Sequence, residues 1–165
     1  MRMGEGFDKT IALLTLGCKL NYAETSTYER GFVEAGLQVV PWSHGADLYL
    51  VNTCSVTATS DAKSRNLIRK VNRINPSAVI VVTGCSAQLR RADYEGLPGV
   101  ARVFGCDEKS LVVPETLEIL SSRPGRVASE KTLPPSARKR EGPTRRGGRG
   151  REAKVQKDYL LFYIF

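Results

Sequence analysis

Three short apolar runs dominate the first half of this chain. They cover residues 11–14, 48–51 and 79–82, and they lack the polar alternation that marks a half-exposed strand. Continuous apolar runs of this length are typical of strands buried on both faces, as in a parallel sheet. The pattern therefore predicts three central strands of a parallel sheet.

The segments around these runs have helical spacing or weaker strand character. In chain order the predicted elements are strand 10–16, helix 22–35, strand 37–41, strand 47–51, helix 57–75, strand 78–82, helix 86–94, strand 100–104 and helix 110–120. Alternating strands and helices with short links predict an α/β fold, an open, mostly parallel, doubly wound sheet of about five strands with flanking helices. Asn21 and Glu24 predict a capping box at the first helix.

The charge of the chain is concentrated near its carboxyl end. Residues 1–122 contain 13 basic and 13 acidic side chains, whereas residues 123–165 contain 12 basic and 4 acidic ones, together with several prolines and glycines. Such a composition leaves little to bury and predicts a disordered basic tail. We therefore expect a folded domain over 8–122, followed over 123–165 by a basic Pro/Gly-rich linker and an apolar, truncated carboxyl terminus.

A cysteine follows each of the three apolar runs, at Cys18, Cys54 and Cys85. If the strands are parallel, their carboxyl ends share one edge, which is where open α/β sheets place ligands. Three thiolates with no histidine nearby suit a soft metal or an iron–sulfur cluster. The alternative is that these residues are small apolar fillers, because unpaired cysteines are often buried.

Two further residues have simpler interpretations. Cys106 also follows a predicted strand, where an apolar filler is favoured over a fourth thiolate ligand. His44, the one histidine, lies in a polar turn and is interpreted as a solvated residue. With no nucleophile beside that histidine a catalytic triad is not supported, and no Gly-x-Gly-x-x-Gly follows the first strand to bind a dinucleotide.

The cysteines and the apolar runs predict the cellular compartment of the protein. No secretory signal is recognised, and no apolar stretch reaches the roughly 18 residues of a membrane span. Unpaired thiols at strand ends fit a reducing compartment, so we expect a cytoplasmic protein without a membrane partner.

Taken together, several motifs resemble the amino-terminal domain of the radical S-adenosylmethionine methylthiotransferases. The motifs are TLGCKLNYAE at 15–24, NTCSVT at 52–57, KSR at 63–65 and VTGCSAQ at 82–88. Lys19, the KSR motif and the segment FGCDEK at 104–109 are most similar to the branch that acts on threonylcarbamoyladenosine in tRNA. The resemblance covers about residues 10–120.

The resemblance implies a cofactor, a substrate and a set of site residues. In that family the cysteines at the positions of Cys18, Cys54 and Cys85 hold an auxiliary [4Fe–4S] cluster, and its open iron binds the sulfur that is transferred. A later domain with a Cys-x3-Cys-x2-Cys motif holds a second [4Fe–4S] cluster and cleaves S-adenosylmethionine. The implied function is 2-methylthio modification of N6-threonylcarbamoyladenosine, with tRNA as the partner.

The sequence departs from the family after its first domain. It contains no Cys-x3-Cys-x2-Cys motif, so we expect this chain alone not to perform the radical chemistry. Alternatives are the related isopentenyladenosine tRNA activity, a non-catalytic α/β remnant that binds RNA weakly through its basic tail, and a structural zinc site with Cys106 as fourth ligand.

Two interpretations stay open within the helices. The basic residues Arg65, Arg69, Lys70 and Arg73 form a solvated helix face or, alternatively, contact tRNA phosphates. Asn21 is either a helix cap or an amide that hydrogen-bonds near the cluster sulfurs.

Overall fold

A computed structural model describes residues 9–17, 19–54 and 58–123. The strands are β1 (Thr10–Thr15), β2 (Gln38–Val39), β3 (Leu48–Thr53), β4 (Val79–Gly84) and β5 (Val100–Val103). The helices are α1 (Lys19–Glu34), α2 (Ala58–Ile74), α3 (Cys85–Leu89), α4 (Arg91–Glu95) and α5 (Val112–Ser122). Short 3₁₀ helices cover Trp42–His44 and Cys106–Leu111.

The five strands form one sheet in the order β2-β1-β3-β4-β5, and every neighbouring pair is parallel. The predicted α/β class with a doubly wound sheet is confirmed. Because the chain moves outward from β1 to β2 and then restarts on the other side at β3, the strand order reverses between β1 and β3. A reversal of this kind opens a crevice at the carboxyl ends of the two strands.

Both faces of the sheet are covered, which explains the continuous apolar runs. On one face, Ala12, Val51 and Val82 pack with Ile68 of α2 and Tyr94 of α4. On the other face, Ile11, Leu50 and Val81 belong to a second buried cluster that contains Phe32 of α1 and Val112 and Leu120 of α5. Successive strand residues point to opposite faces, so both sets must be apolar.

The edges of the sheet are short or irregular. β2 contributes only two residues, fewer than the predicted strand 37–41, and the register between β4 and β5 shifts at Ile80/Val81. On β5, Arg102 forms ion pairs with Glu108 (3.6 Å) and Glu115 (3.1 Å). The outer strands thus differ from the long, regular central strands.

Several predicted helix boundaries are wrong. α1 begins at Lys19 rather than at residue 22, so Asn21 lies inside the helix and is not its cap. The predicted helix 86–94 is two helices, because Arg90 leaves helical geometry at φ −132° and ψ 42°. The guanidinium Nε of Arg90 is then 2.9 Å from the buried carboxylate of Asp61.

The predicted basic tail beyond Arg123 lies outside the described residues. Within the described part of the chain, no helix has both the length and the apolar character needed to span a membrane.

Candidate functional site

The carboxyl ends of β3 and β4 place two of the predicted cysteines at one edge of the sheet. Cys54 directly follows β3 and is buried, whereas Cys85 directly follows β4 as the first residue of α3 and is exposed. Thr53 pairs with Gly84 in the sheet register, so the two cysteines leave adjacent strands at the same level. The third predicted ligand, Cys18, lies outside the described residues.

The backbone that leads to Cys18 contacts Cys54. Gly17 has φ +114°, and a Cβ added there would lie 2.3 Å from Cβ and 2.8 Å from Sγ of Cys54. A side chain at this position would overlap the cysteine, so the close approach requires glycine. The residue before Cys18 is therefore packed on Cys54 at the reversal between β1 and β3.

A second glycine closes the gap between β3 and β4. Gly84 has φ +107°, and a Cβ added there would lie 2.2 Å from the carbonyl oxygen of Thr53. Only glycine adopts this backbone conformation without strain. The Gly-Cys pairs at 17–18 and 84–85 thus have a feature in common. In each, a glycine immediately before the cysteine allows the backbone to approach the carboxyl end of β3 closely.

The side chain of Asn21 connects the ends of β1 and β3 beneath this edge. It is 3% exposed, and its Nδ2 donates to the carbonyl oxygen of Leu16 (2.9 Å) and to that of Thr53 (3.2 Å). Asn52 Nδ2 in turn donates to the backbone oxygen of Asn21 (3.0 Å) and to Thr25 Oγ1 (3.2 Å). These bonds hold the segments on both sides of Cys18, and the segment that leads to Cys54, in place.

The position of Cys85 is fixed by the hydrogen bonds of the next residue, Ser86. Ser86 Oγ hydrogen-bonds to the carboxylate of Asp61 on α2 and is 2.9 Å from the hydroxyl of Tyr94. Asp61 is only 4% exposed, and its charge is balanced by Arg90. A buried carboxylate that is both ion-paired and hydrogen-bonded is a rigid anchor, so the start of α3 has little freedom. No motif in the sequence marks Asp61 as part of this edge.

Cys106 lies beside Cys85. Burial raises the pKa of the Cys85 thiol, and the neighbouring Cys106 side chain raises it further. Glu24 on α1 also raises this pKa and Lys109 lowers it, and these two side chains form an ion pair next to the thiols. Cys106 is half-buried. Cys106 thus has the Cys85 thiol as a neighbour at this edge. The sequence around each cysteine does not show that the two lie together, because this depends on how β4 and β5 pair.

The part of the chain that the structure describes contains no complete set of metal ligands. Among residues 9–17, 19–54 and 58–123, no three His, Cys, Asp or Glu side chains lie together as a metal-binding group. His44 is exposed in its 3₁₀ turn, in agreement with the prediction that it is a solvated residue.

The outer side of α2 is basic. Arg69, Lys70 and Arg73 are exposed, and none of them takes part in an ion pair within the described ranges. Lys70 Nζ lies 4.7 Å from the centre of the Trp42 ring. Asp61, the one acidic residue of α2, is buried and paired. This face thus presents positive charge, with one ring beside it.

Comparison with known proteins agrees with the resemblance in the motifs. Threonylcarbamoyladenosine tRNA methylthiotransferases of Bacillus subtilis and Aquifex aeolicus are 46% identical over 100 residues and 37% identical over 117 residues. These matches cover 61% and 71% of this chain but 22% and 28% of the relatives. A tRNA-2-methylthio-N(6)-dimethylallyladenosine synthase of Nitratidesulfovibrio vulgaris is 32% identical over 71% of this chain and 26% of its own length.

The chain thus spans about a quarter of the length of these relatives. The resemblance to the first domain of the methylthiotransferases, stated from the motifs, is confirmed. Residues 10–107, which contain all five strands and all four cysteines, match the protein family described as "Uncharacterized protein family UPF0004". The chain belongs to this family.

Proposed function

We propose that this chain is the domain of a threonylcarbamoyladenosine tRNA methylthiotransferase that holds the auxiliary [4Fe–4S] cluster, with Cys18, Cys54 and Cys85 as its ligands. The observation that supports it is the position of Cys54 and Cys85 at the same level on adjacent parallel strands, with the residue before Cys18 packed on Cys54. The named activity of the relatives supports the enzyme class.

The donor atoms at this edge fit an iron–sulfur cluster. Thiolates are the usual protein ligands of such clusters, and Lys109, whose charge acts on the Cys85 thiol, is paired with Glu24. A cluster bound through three thiolates leaves one iron free of protein ligand, the position at which the family holds the sulfur to be transferred. The tRNA substrate, S-adenosylmethionine and the second cluster belong to the longer enzyme of this proposal.

The residues of this chain have defined tasks in the proposal. Gly17 and Gly84 allow the backbone to reach the edge, and Asn21 fixes the ends of β1 and β3. Asp61 holds Ser86 and with it the start of α3. Such supporting residues set the direction in which a ligand points, and they affect affinity without touching the metal. Kinship with tRNA-modifying enzymes supports the cytoplasm as the site of action.

Anaerobic reconstitution with ferrous iron and sulfide tests the cluster directly. We expect the full chain to gain a broad visible absorption band and about four iron atoms. The triple variant Cys18→Ala/Cys54→Ala/Cys85→Ala should gain neither, while Cys106→Ser, the matched control, should behave like the parent chain. Absence of a band under every anaerobic condition would contradict the proposal and favour a non-catalytic domain.

Metal analysis of anaerobically purified protein separates the remaining rival. One zinc ion per chain, lost in Cys106→Ser, would show a closed structural site instead of a cluster with an open position. Iron and sulfide in equal amounts, retained in Cys106→Ser, would support the proposal.

A further inference from the structure

The fourth cysteine of the chain stands next to one of the proposed ligands. β4 and β5 pair so that Val82 is opposite Val103, and Phe104 N donates to the carbonyl oxygen of Val82 at 2.8 Å. Cys85 and Cys106 each follow this register pair by three residues, just beyond the ends of β4 and β5, so the segments that lead to them leave the sheet side by side. The side chains of the two cysteines are close enough to hydrogen-bond to each other.

A side-chain contact holds Cys106 against the helix that Cys85 begins. Gln88, on that helix, accepts a hydrogen bond at 3.0 Å from the backbone N–H of Cys106. The same Gln88 oxygen would lie 1.9 Å from a Cβ added at Gly105. The backbone of Cys106 is therefore held close to α3, next to the start of the helix at Cys85.

The 3₁₀ helix that starts at Cys106 is also held in place. Gly105 N donates to Glu108 Oε2 at 2.7 Å, and Arg91 Nη2 is 3.0 Å from the same oxygen. Cys85 is exposed, so a small oxidant reaches its sulfur directly. A thiol that is accessible and lies beside a second cysteine is the arrangement in which the second cysteine resolves a sulfenic acid. Because the pKa of Cys85 is raised, its thiolate fraction is small, so the reaction with peroxide is slow.

We infer that Cys85 and Cys106 form a dithiol that closes reversibly to a disulfide in the chain without a cluster, with hydrogen peroxide as the oxidant. Cys85 Sγ attacks one peroxide oxygen, which breaks the O–O bond and gives a sulfenic acid and hydroxide. Cys106 Sγ then attacks the Cys85 sulfur and expels a second hydroxide. The two thiol protons convert both hydroxides to water, so the thiols lose two electrons and peroxide gains two.

The disulfide has two consequences at this edge. It stops Cys85 from passing to the irreversible sulfinic and sulfonic acids, and a thiol reductant restores both cysteines. It also removes the Cys85 sulfur from any metal. This second consequence, unlike the first, rests on the proposed function.

Tryptic digestion tests the inference, because each cysteine falls in its own peptide. The peptides are residues 10–19 with Cys18, 31–63 with Cys54, 74–90 with Cys85 and 103–109 with Cys106. The dilute, metal-free chain is treated with stoichiometric peroxide, blocked with iodoacetamide, digested without reductant and analysed by mass spectrometry. We expect peptides 74–90 and 103–109 to be joined in most molecules and to separate on reduction.

Variants and a denatured sample serve as controls. Cys54→Ser should form the same linked peptides, whereas Cys106→Ser should give none and should accumulate oxidised Cys85 acids instead. In urea, links among all four cysteines should appear in mixed proportions. A folded chain that links Cys85 to Cys18 or Cys54, or to Cys85 of a second chain, would overturn the inference, as would a folded chain in which 74–90 and 103–109 stay separate.

Iron uptake distinguishes failure of the inference from failure of the proposed function. We expect the oxidised chain to load more slowly than the untreated chain, because sulfide must first cleave the disulfide, and we expect prior reduction with dithiothreitol to remove this delay. Normal loading of a chain whose 85–106 disulfide is still present after loading would show that Cys85 is not a ligand, and it would leave the dithiol itself established.

Discussion

Replacement of Asn21 by alanine tests how the candidate site is held together. Its amide donates to two carbonyl oxygens, Leu16 O and Thr53 O, at the ends of the two central strands. A buried hydrogen bond contributes about 1 kcal/mol net, and a polar group that stays buried without its donor costs about 1–3 kcal/mol. For two bonds we expect Asn21→Ala to lower the free energy of unfolding by about 2–4 kcal/mol.

Urea unfolding of the reduced, metal-free chain, followed by far-UV circular dichroism, measures this loss. With a slope of about 1.5–2 kcal/mol per molar urea, the midpoint should fall by about 1–3 M. Asn66→Ala is the matched control, because Asn66 is an exposed residue of α2 whose side chain accepts an exposed hydrogen bond from Arg69 at 3.3 Å. Both variants gain the same helix propensity, so the difference between them isolates the buried amide.

A second replacement separates hydrogen bonding from packing. Asn21→Asp keeps the shape of the side chain, but an ionised carboxylate has no hydrogen to donate to the two carbonyl oxygens. It should therefore destabilise the domain at least as much as alanine at neutral pH, and less so in acid, where the protonated form donates one bond. If Asn21→Ala and Asn66→Ala unfold within about 0.3 M urea of each other, a cost that corresponds to less than 1 kcal/mol, the reasoning is refuted.

Three further outcomes follow from single positions. Gly84→Ala forces an alanine to φ +107° against the β3 backbone and should cost about 3 kcal/mol or more in urea unfolding. Gly96→Ala should be neutral, because a Cβ added there meets Ala92 O at 3.7 Å, an ordinary van der Waals contact. A backbone N–H and a guanidinium lower the pKa of Glu108 below 4.5, so its ionised form stabilises the fold above that pH, and the contribution is lost as the pH falls through the lower folded value. Stability measured against pH should be less steep in acid for Glu108→Gln. Arg73→Glu on the basic face of α2 should weaken binding of unmodified tRNA by about 3–10-fold in a low-salt filter assay, and Arg30→Glu on α1 should weaken it less; equal effects would contradict a specific face.

The apolar runs were sufficient to predict the central strands, but not where those strands end. β3 and β4 continue to Thr53 and Gly84, two residues beyond the predicted ends, although Asn52 and Thr53 are polar. Both are fully buried, and Thr53 Oγ1 donates to the carbonyl oxygen of Thr83 at 2.8 Å. Asn52 Nδ2 also donates internally, although Asn52 Oδ1 has no hydrogen-bond partner in the described part of the chain. Buried polar residues do not appear in a hydrophobic pattern, so the pattern predicts strands that are too short.

In the candidate site, only those residues were predictable whose position follows from the sequence immediately around them. The positions of Cys54 and Cys85 after buried strands follow from the sequence alone, because parallel strands end at one edge. Of the two interpretations of Asn21, the helix cap is wrong and the amide near the cluster sulfurs stays a prediction, since a cap and a buried amide that joins two strand ends have the same local sequence. The contact of Asp61 with Ser86 depends on how α2 packs on the sheet, and the proximity of Cys85 and Cys106 depends on how β5 pairs with β4. Neither can be read from a short stretch of sequence.

The outer strands of the sheet have a consequence for how this domain associates with others. A long exposed strand offers unpaired N–H and C=O groups to any other extended chain. Here one border is a two-residue strand, and the other is kinked and carries an arginine held by two carboxylates. Strand addition is therefore disfavoured at either border, so a neighbouring domain would have to be recognised through helices and loops, and the sheet would not be extended by it.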